Sequence, residues 1–192
     1  MIRLAVVGDI GSGKSHIAKL FGFPIFNADA EVSKLYKKNK KCYAKLKKAL
    51  PYHITSFPIK KSQLSKAIMS NKNALKKIIK VVHPEIKKIM HRFVKKNKNK
   101  SIVILDIPLL MENKINRKSD VIIFIDAKKK EINKRLKKRD NFNPKIVEKL
   151  KKLQLPLELK KKRSNFIIKN NFKNNYVKKN VKKILRKILS DA

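Results

Sequence analysis

The chain of 192 residues is long enough for one α/β domain with a modest insertion, and its hydrophobic content of 42% is sufficient for a proper core. Its formal net charge of +39 could attract nucleic acid, anionic membrane or acidic metabolites, but lysines follow nearly every polar face and form no single patch. Because Lys, Asn and Ile all have A/T-rich codons, we favour genome composition bias over a dedicated nucleic-acid role as the origin of this charge.

Cysteine content and hydropathy exclude several other classes of protein. Cys42 is the only cysteine, so an intrachain disulfide and a Cys-rich metal site are both excluded. No uncharged apolar stretch reaches the roughly 18 to 20 residues of a membrane span, and the N-terminal apolar run is too short for a secretory signal. We therefore expect a cytoplasmic protein.

Short apolar runs rich in Val and Ile predict buried strands at residues 4–7, 102–105, 121–125 and 166–168, with 24–26 as a candidate fifth. Helical patterns separate these runs, which is typical of a parallel sheet wrapped by helices. The predicted fold class is α/β, a three-layer sandwich with a parallel sheet of about five strands.

The first strand leads into the sequence GDIGSGKS at residues 8–15, which fits the phosphate-binding P-loop pattern G-x-x-x-x-G-K-[ST] at every fixed position. Its glycines let backbone N–H groups converge on phosphate oxygens, and the helix that follows adds the positive end of its dipole. The residues expected at the nucleotide are Gly8, Gly11, Ser12, Gly13, Lys14 and Ser15, with Lys14 on the β- and γ-phosphates and Ser15 on Mg²⁺. The chain is therefore expected to bind a nucleoside triphosphate with Mg²⁺.

Residues from about 30 to 100 have helical apolar spacing, and Pro84 is expected to start a new helix at its first turn. We interpret this segment as a helical insertion that builds a substrate site, although ordinary crossover helices would give the same pattern. Further helices are predicted over residues 128–139 and after Asn143, which would cap a helix that begins at Pro144. A C-terminal apolar stripe predicts a last helix that packs on the core.

Two aspartates follow predicted strands. Asp29 comes just after the second strand, at the sheet edge where open α/β sheets bind ligands, and could take or orient the proton of an acceptor hydroxyl. It could equally be the N-cap of the helix from Ala30. Asp106 ends an apolar strand in the manner of a Walker B acid, so it is either a Mg²⁺ ligand through water or a turn residue.

Two further features carry weaker signals. Arg135 and Arg139 are spaced i,i+4 on one predicted helix face, where they could contact phosphate in a bidentate manner or merely face solvent. His83 precedes Pro84, a position at which histidine is more often a cap or a packed residue than a functional group.

Taken together, these features resemble the dephospho-coenzyme A kinase family over residues 1 to about 171. The landmarks occur in order: the P-loop, Asn27-Ala28-Asp29, His83-Pro84, the loop from Leu105 through Pro108-Leu109-Leu110 to Glu112, Arg135 and Arg139, Gln154 to Lys160, and Ile167 to Asn170. The resemblance implies transfer of the γ-phosphoryl group of ATP to the 3′-hydroxyl of dephospho-coenzyme A, in a single domain over 1–192 with an acceptor-binding insertion at about 30–100 and a lid at about 140–163.

The resemblance also implies residue roles. Asp29 would be the catalytic base, Lys14 and Arg139 would be catalytic, and Arg135 would help to bracket the phosphates. His16 and Asn170 would contact the nucleotide, Asn170 near adenine. His83, Pro108, Leu109 and Glu112 would join Asp29 in holding the acceptor. The cofactors would be ATP and Mg²⁺, and the protein would be a monomer or weak homo-oligomer that binds no specific nucleic acid or membrane.

The chain departs from the family pattern at several positions. Asp9 and Phe172 stand where glycine is usual, His16 where threonine is usual, and Leu157 where a basic residue is often found. None removes a residue that the chemistry needs, although the charge of Asp9 would weaken ATP binding slightly.

Two rival functions are another small-molecule P-loop kinase, such as a nucleoside monophosphate kinase, and an ATPase acting on nucleic acid. The first is disfavoured because residues 30–91 contain no arginine for an acceptor phosphate, and the second because no nucleic-acid motif accompanies the charge.

Overall fold

A computed structural model describes residues 1–140 and 142–190. The chain divides into two compact units. The sheet unit comprises Met1–Asn27 and the described residues from Asn97 onward, and the helical unit comprises Ala28–Lys96.

The sheet unit contains, within its described residues, five parallel strands in the order β2-β3-β1-β4-β5. The strands are β1 (Ile2–Gly8), β2 (Ile25–Asn27), β3 (Ile102–Asp106), β4 (Val121–Ala127) and β5 (Phe166–Asn170). The predicted parallel sheet is confirmed, including the candidate fifth strand. Val6 pairs with Asp106 and Gly8 with Ile125, so the polar residues that follow β1 and β3 emerge at one edge.

The helices of the described chain are α1 (Lys14–Leu20), α2 (Ala28–Lys38), α3 (Lys40–Ala49), α4 (Lys61–Ser70), α5 (Ala74–Lys96), α6 (Lys129–Lys137), α7 (Pro144–Lys151), α8 (Leu157–Lys162) and α9 (Asn174–Ser190). Asn143 caps α7 by accepting the Ile146 N–H at 3.1 Å, with Pro144 as the first helical residue, as predicted. Helix α8 was not predicted, because its lysine-rich sequence resembles a solvated loop. None of the described helices has the length and apolar character that crossing a bilayer requires.

One face of the sheet packs against α1 and α9. Alternate strand residues, among them Leu4, Val6 and Ile104, join Ile17 of α1 in a single buried cluster. The predicted apolar stripe of α9 belongs to the same cluster, through Val177, Val181, Ile184 and Ile188 with Leu185 partly buried against it. Core packing is thus the role of this stripe.

A buried ion pair ties the start of β1 to the residue before β4. The Arg3 guanidinium donates to Asp120 Oδ2 at 3.0 Å, and their side chains are 6% and 0% exposed. Burial raises the pKa of Asp120 and lowers the pKa of Arg3, while the mutual attraction of the two charges opposes both shifts. The Arg117 backbone N–H also donates to Asp120, at 2.9 Å.

Helix α5 of the helical unit runs without interruption for 23 residues, with Pro84 inside it. The prediction that a new helix starts at Pro84 is therefore wrong. Proline removes one backbone donor, but Ile78, Val82, Ile86 and Met90 continue a buried i,i+4 stripe on both sides of it. Packing of this stripe outweighs the local cost of the proline.

Candidate active site

The P-loop joins the end of β1 to the start of α1. Gly8 and Gly13 have φ values of 145° and 92°, in the range that favours glycine. A Cβ on Gly8 would lie 2.7 Å from the Ile125 carbonyl oxygen, and one on Gly13 would lie 2.5 Å from the amide nitrogen of Asn170. Both glycines are therefore required by the close approach of neighbouring atoms as well as by conformation.

Lys14 lies against the loop that precedes it. Its Nζ donates to the carbonyl oxygens of Asp9 at 2.7 Å and Gly8 at 3.3 Å. No side chain caps the first turn of α1, and no acidic residue lies there. The ammonium group and the amide end of the helix thus make the electropositive concavity that phosphate requires.

Ser12 is buried in the loop, and its hydroxyl is one of the buried side-chain groups in the described chain without a hydrogen-bond partner. Ser15 lies exposed in the first turn of α1. These hydroxyls, the glycine cradle and Lys14 fit a bound triphosphate, and the Ser15 hydroxyl offers the kind of oxygen ligand that Mg²⁺ prefers.

Asn170 supports the P-loop from β5. Its amide nitrogen donates to the Ser12 carbonyl oxygen at 2.8 Å, and its Oδ1 accepts the Phe172 N–H at 2.9 Å. The side chain is buried, and its described contacts are with the P-loop backbone and with the backbone of the turn that follows β5. The predicted proximity of Asn170 to adenine stays a prediction.

Asp106 is the last residue of β3 and is buried, so it is not a turn residue. Asn27, the last residue of β2, donates its amide hydrogen to Asp106 Oδ2 at 2.5 Å. The described residues hold no cluster of three or more His, Cys, Asp or Glu side chains suited to a metal ion. The side-chain oxygens of Asp106 and Ser15 would suit Mg²⁺ as ligands if phosphate and water completed its coordination.

Asp29 belongs to the helical unit, two residues beyond the end of β2. It is the second residue of α2 and is exposed, so the alternative of an N-cap is wrong because the helix already begins at Ala28. Its backbone carbonyl accepts the Ser33 hydroxyl at 3.0 Å. An acidic residue in this first turn is also favoured by the helix dipole.

His83 lies in the middle of α5, half-buried rather than at a helix cap. Burial lowers the pKa of its imidazole, which favours the neutral form. His16 is exposed on α1, where its Nε2 lies 2.8 Å from Asn174 Oδ1.

The two arginines do not share a helix face as predicted. Helix α6 ends at Lys137, so Arg139 lies in the turn beyond it, where its N–H donates to the Leu136 carbonyl oxygen at 3.1 Å. Arg135 stays on the helix with its guanidinium 4.6 Å from the centre of the Phe172 ring. The N–H groups of Lys138 and Arg139 each donate to the carbonyl oxygen three residues back, which closes the helix at this point.

Glu112 is held in a buried ion pair that the sequence did not indicate. Its Oε1 lies 2.6 Å from Lys160 Nζ, and the two side chains are 9% and 1% exposed. The same oxygen accepts the Leu155 N–H at 3.0 Å. Pro108 and Leu109 are partly buried in the turn-rich segment that leads to Glu112. This carboxylate therefore ties the loop after β3 to α8 and the segment before it.

A family model for dephospho-CoA kinase matches residues 2–175. The chain belongs to the dephospho-CoA kinase family. A dephospho-CoA kinase from the Wolbachia of Brugia malayi is 32% identical over 170 residues, covering 86% of this chain and 87% of that protein.

Solved structures share the fold of this dephospho-CoA kinase family member. A dephospho-CoA kinase from Campylobacter jejuni aligns with a TM-score of 0.62 at 24% identity, over 98% of both chains. A shikimate kinase from Acinetobacter baumannii aligns with a TM-score of 0.55 at 16% identity, over 100% of this chain and 94% of the other. The chain thus has the α/β fold of these P-loop kinases.

Two departures from the dephospho-CoA kinase pattern have visible consequences. Phe172 takes a left-handed φ of 61°, a conformation expected of glycine, and its ring contacts Arg135. The Asp9 carboxylate lies 3.7 Å from Lys151 Nζ of α7. Phe172 thus contacts α6, which precedes the turn that contains Arg139, and Asp9 contacts α7, which follows it.

Proposed function

We propose that this chain transfers the γ-phosphoryl group of ATP to the 3′-hydroxyl of the ribose in dephospho-coenzyme A, giving coenzyme A and ADP. The observation that carries the proposal is the P-loop, whose glycines, buried Ser12 and Lys14 form a phosphate cradle within a chain of this family. Phosphoryl transfer needs positioning and charge neutralisation more than covalent chemistry from the protein.

The loop backbone and Lys14 hold the β- and γ-phosphates of ATP. The Lys14 ammonium group lies at the carbonyl oxygens of Gly8 and Asp9, which holds it beside the loop that would receive the phosphates. Asn170 keeps the loop rigid by binding the Ser12 carbonyl. His16 at the adjoining helix turn and Asn170 are proposed to be part of the nucleotide site.

Mg²⁺ would be held by the Ser15 hydroxyl and, through water, by Asp106, and would supply charge neutralisation on the transferred phosphoryl group. Asn27 fixes the Asp106 carboxylate through its amide hydrogen bond. The asparagine thus has a definite structural role, which is to orient the carboxylate proposed to hold Mg²⁺.

Asp29 is proposed to be the general base that accepts the proton of the ribose 3′-hydroxyl. Asp29 is an exposed residue two positions after β2, where it could contact a substrate. His83, Pro108, Leu109 and Glu112 are proposed to contribute to the acceptor site, Glu112 by fixing its loop through Lys160. Residues 28–96 would form most of the acceptor-binding insertion.

Arg135 and Arg139 are proposed to bracket the phosphates when a lid of about residues 140–163 closes and excludes water. Closure of this kind suppresses futile hydrolysis of ATP. We further propose that the kinase acts in the cytoplasm, as a monomer or weak homo-oligomer without a specific nucleic-acid or membrane partner.

A coupled ADP-release assay tests the proposal by comparing dephospho-coenzyme A with nucleoside monophosphates, with mass detection of the phosphorylated product. We expect turnover with dephospho-coenzyme A and its near-complete loss in Lys14→Ala, because that variant lacks a transition-state charge contact. Turnover only with nucleoside monophosphates would reject the proposed acceptor. ATP hydrolysis stimulated by DNA or RNA, without a phosphorylated coenzyme product, would favour a nucleic-acid ATPase.

A further inference from the structure

Helix α7 is only partly buried against the rest of the sheet unit. None of its residues is buried, and a cavity of about 310 Å³ lies between it and α6, lined by residues that include Leu136, Phe142 and Val147. Packing therefore holds α7 less firmly than it holds the helices of the unit that have buried residues, and polar contacts with the rest of the unit gain importance.

One such polar contact joins α7 to the P-loop. Lys151, the last residue of α7, has its Nζ 3.7 Å from Asp9 Oδ2, and the side chains are 35% and 12% exposed. The other carboxylate oxygen of Asp9 accepts the Ile10 N–H at 2.6 Å, which fixes the carboxylate on the loop. Asp9 thus offers an anion that is fixed on the loop, and Lys151 offers a partly solvated cation.

This ion pair lies beside the place where the terminal phosphates of a bound nucleotide belong. The Lys14 ammonium group, which serves the β- and γ-phosphates in a P-loop, is 2.7 Å from the carbonyl oxygen of Asp9. A triphosphate bound there would repel the Asp9 carboxylate and attract the Lys151 ammonium group. The nucleotide and Asp9 would therefore compete for the same lysine.

We propose that Lys151 is a triphosphate-binding residue, and that Asp9 holds its ammonium group beside the P-loop until the nucleotide takes it over. The proposal rests on the proposed function in that ATP is the phosphoryl donor. Lys151 thereby couples occupancy of the P-loop to the position of α7, within the segment proposed as the lid. Asp9 lowers the apparent affinity for ATP, because its pairing with Lys151 must be broken first.

Calorimetric titration with Mg²⁺-ATP, without any acceptor, tests the proposal. Lys151→Met should weaken ATP binding about 10-fold, the loss expected for a charge-assisted contact, and should weaken ADP binding less. Lys151→Arg should stay within about 2-fold of wild type, because the charge is kept. Asp9→Asn, which keeps an acceptor for the Ile10 N–H, should tighten ATP binding about 2- to 5-fold.

Lys152→Met is the matched control, because Lys152 is the next residue, carries the same charge and pairs instead with the exposed Glu148 at 3.0 Å. Its affinity for ATP should match wild type. In the double variant Asp9→Asn with Lys151→Met, the gain from Asp9→Asn should largely disappear, because no lysine remains to be released. Thermal melting without nucleotide checks that each variant is folded.

Three results would overturn the proposal: unchanged ATP affinity in Lys151→Met, the same loss in Lys152→Met, or an undiminished gain from Asp9→Asn when Lys151 is absent. The last would mean that Asp9 acts only by repelling phosphate. Because no acceptor is present, these results are independent of dephospho-coenzyme A. The expected pattern without turnover of that substrate would reject the proposed acceptor and leave the role of Lys151 standing.

Discussion

Replacing Lys160 by methionine should destabilise the protein markedly, because the substitution leaves the Glu112 carboxylate buried without its cation. The pair has a separation of 2.6 Å with side-chain exposures of 1% and 9%. Breaking a buried pair by removing one partner costs about 3 to 5 kcal/mol, and the slight exposure of Glu112 places this case near the lower end, at about 3 kcal/mol.

For a chain of this size, about 3 kcal/mol corresponds to a fall in Tm of about 6 to 12 °C. Thermal melting followed by circular dichroism measures the change. Lys162→Met is the matched control, since this lysine lies on the same helix but is exposed, and its Tm should change by less than about 2 °C. Replacing Glu112 and Lys160 together by leucine should recover part of the loss, because a buried ion pair can be replaced by apolar residues at little cost.

A Lys160→Met variant that melts within about 2 °C of wild type would refute the reasoning, as would an equal fall in the Tm of Lys162→Met.

Steady-state kinetics of Lys160→Met and of Glu112→Gln separate two possible roles of Glu112. If its contribution to the acceptor site is only to fix the loop after β3, Glu112→Gln and Lys160→Met should raise the KM for dephospho-coenzyme A by similar factors. A much larger rise in Glu112→Gln would indicate direct contact with the acceptor.

Three further predictions concern other parts of the chain. Asp29→Asn should lower turnover by about 10²-fold or more with ATP affinity nearly unchanged, as expected for loss of a general base, and near wild-type turnover in steady-state kinetics would disprove this role. Arg3→Met should lower the free energy of unfolding by about 3 kcal/mol in urea denaturation, because Asp120 would remain buried without its cation, and a change below about 1 kcal/mol would contradict that account. His83 has a lowered pKa in the folded state, so its neutral form stabilises the fold above the unfolded value of 6.5 and this contribution is lost as the pH falls below it. Wild type should therefore lose more stability than His83→Gln when the pH is lowered from about 7.5 to about 5.5, and equal losses would exclude the effect.

The strands and the P-loop could be predicted because each has a signal contained in a short stretch of sequence. Apolar runs of four or five residues locate buried parallel strands, and the loop has fixed residues at fixed spacing. The register that brings Asp106 beside Val6 follows from parallel pairing, although the pairing of Asp106 with Asn27 does not. Local pattern therefore predicts the elements, while contacts between distant segments require the structure.

The features that could not be predicted depend on such distant contacts. Lys160 is one of several lysines in a polar run, and only the position of Glu112 explains why this one is buried. Pro84 has the sequence signature of a helix start, but the apolar stripe around it holds one long helix together. Arg139 has the spacing of a helical partner of Arg135, yet the helix ends two residues before it. In each case tertiary packing or chain reversal overrides a local preference.

The P-loop is held by the Asn170 side chain of β5, and this contact links the pattern of glycines to catalysis. A Cβ on Gly13 would lie only 2.5 Å from the Asn170 side-chain nitrogen, and the same nitrogen holds the Ser12 carbonyl. The Phe172 N–H in turn fixes the Asn170 side chain. A loop held in this way presents its N–H groups without reorganisation, which is the condition for stabilising charge that develops on a transferred phosphoryl group. The asparagine on β5 is thus as much a part of the phosphate cradle as the glycines themselves, because without it the Ser12 peptide would lose the contact that fixes its direction.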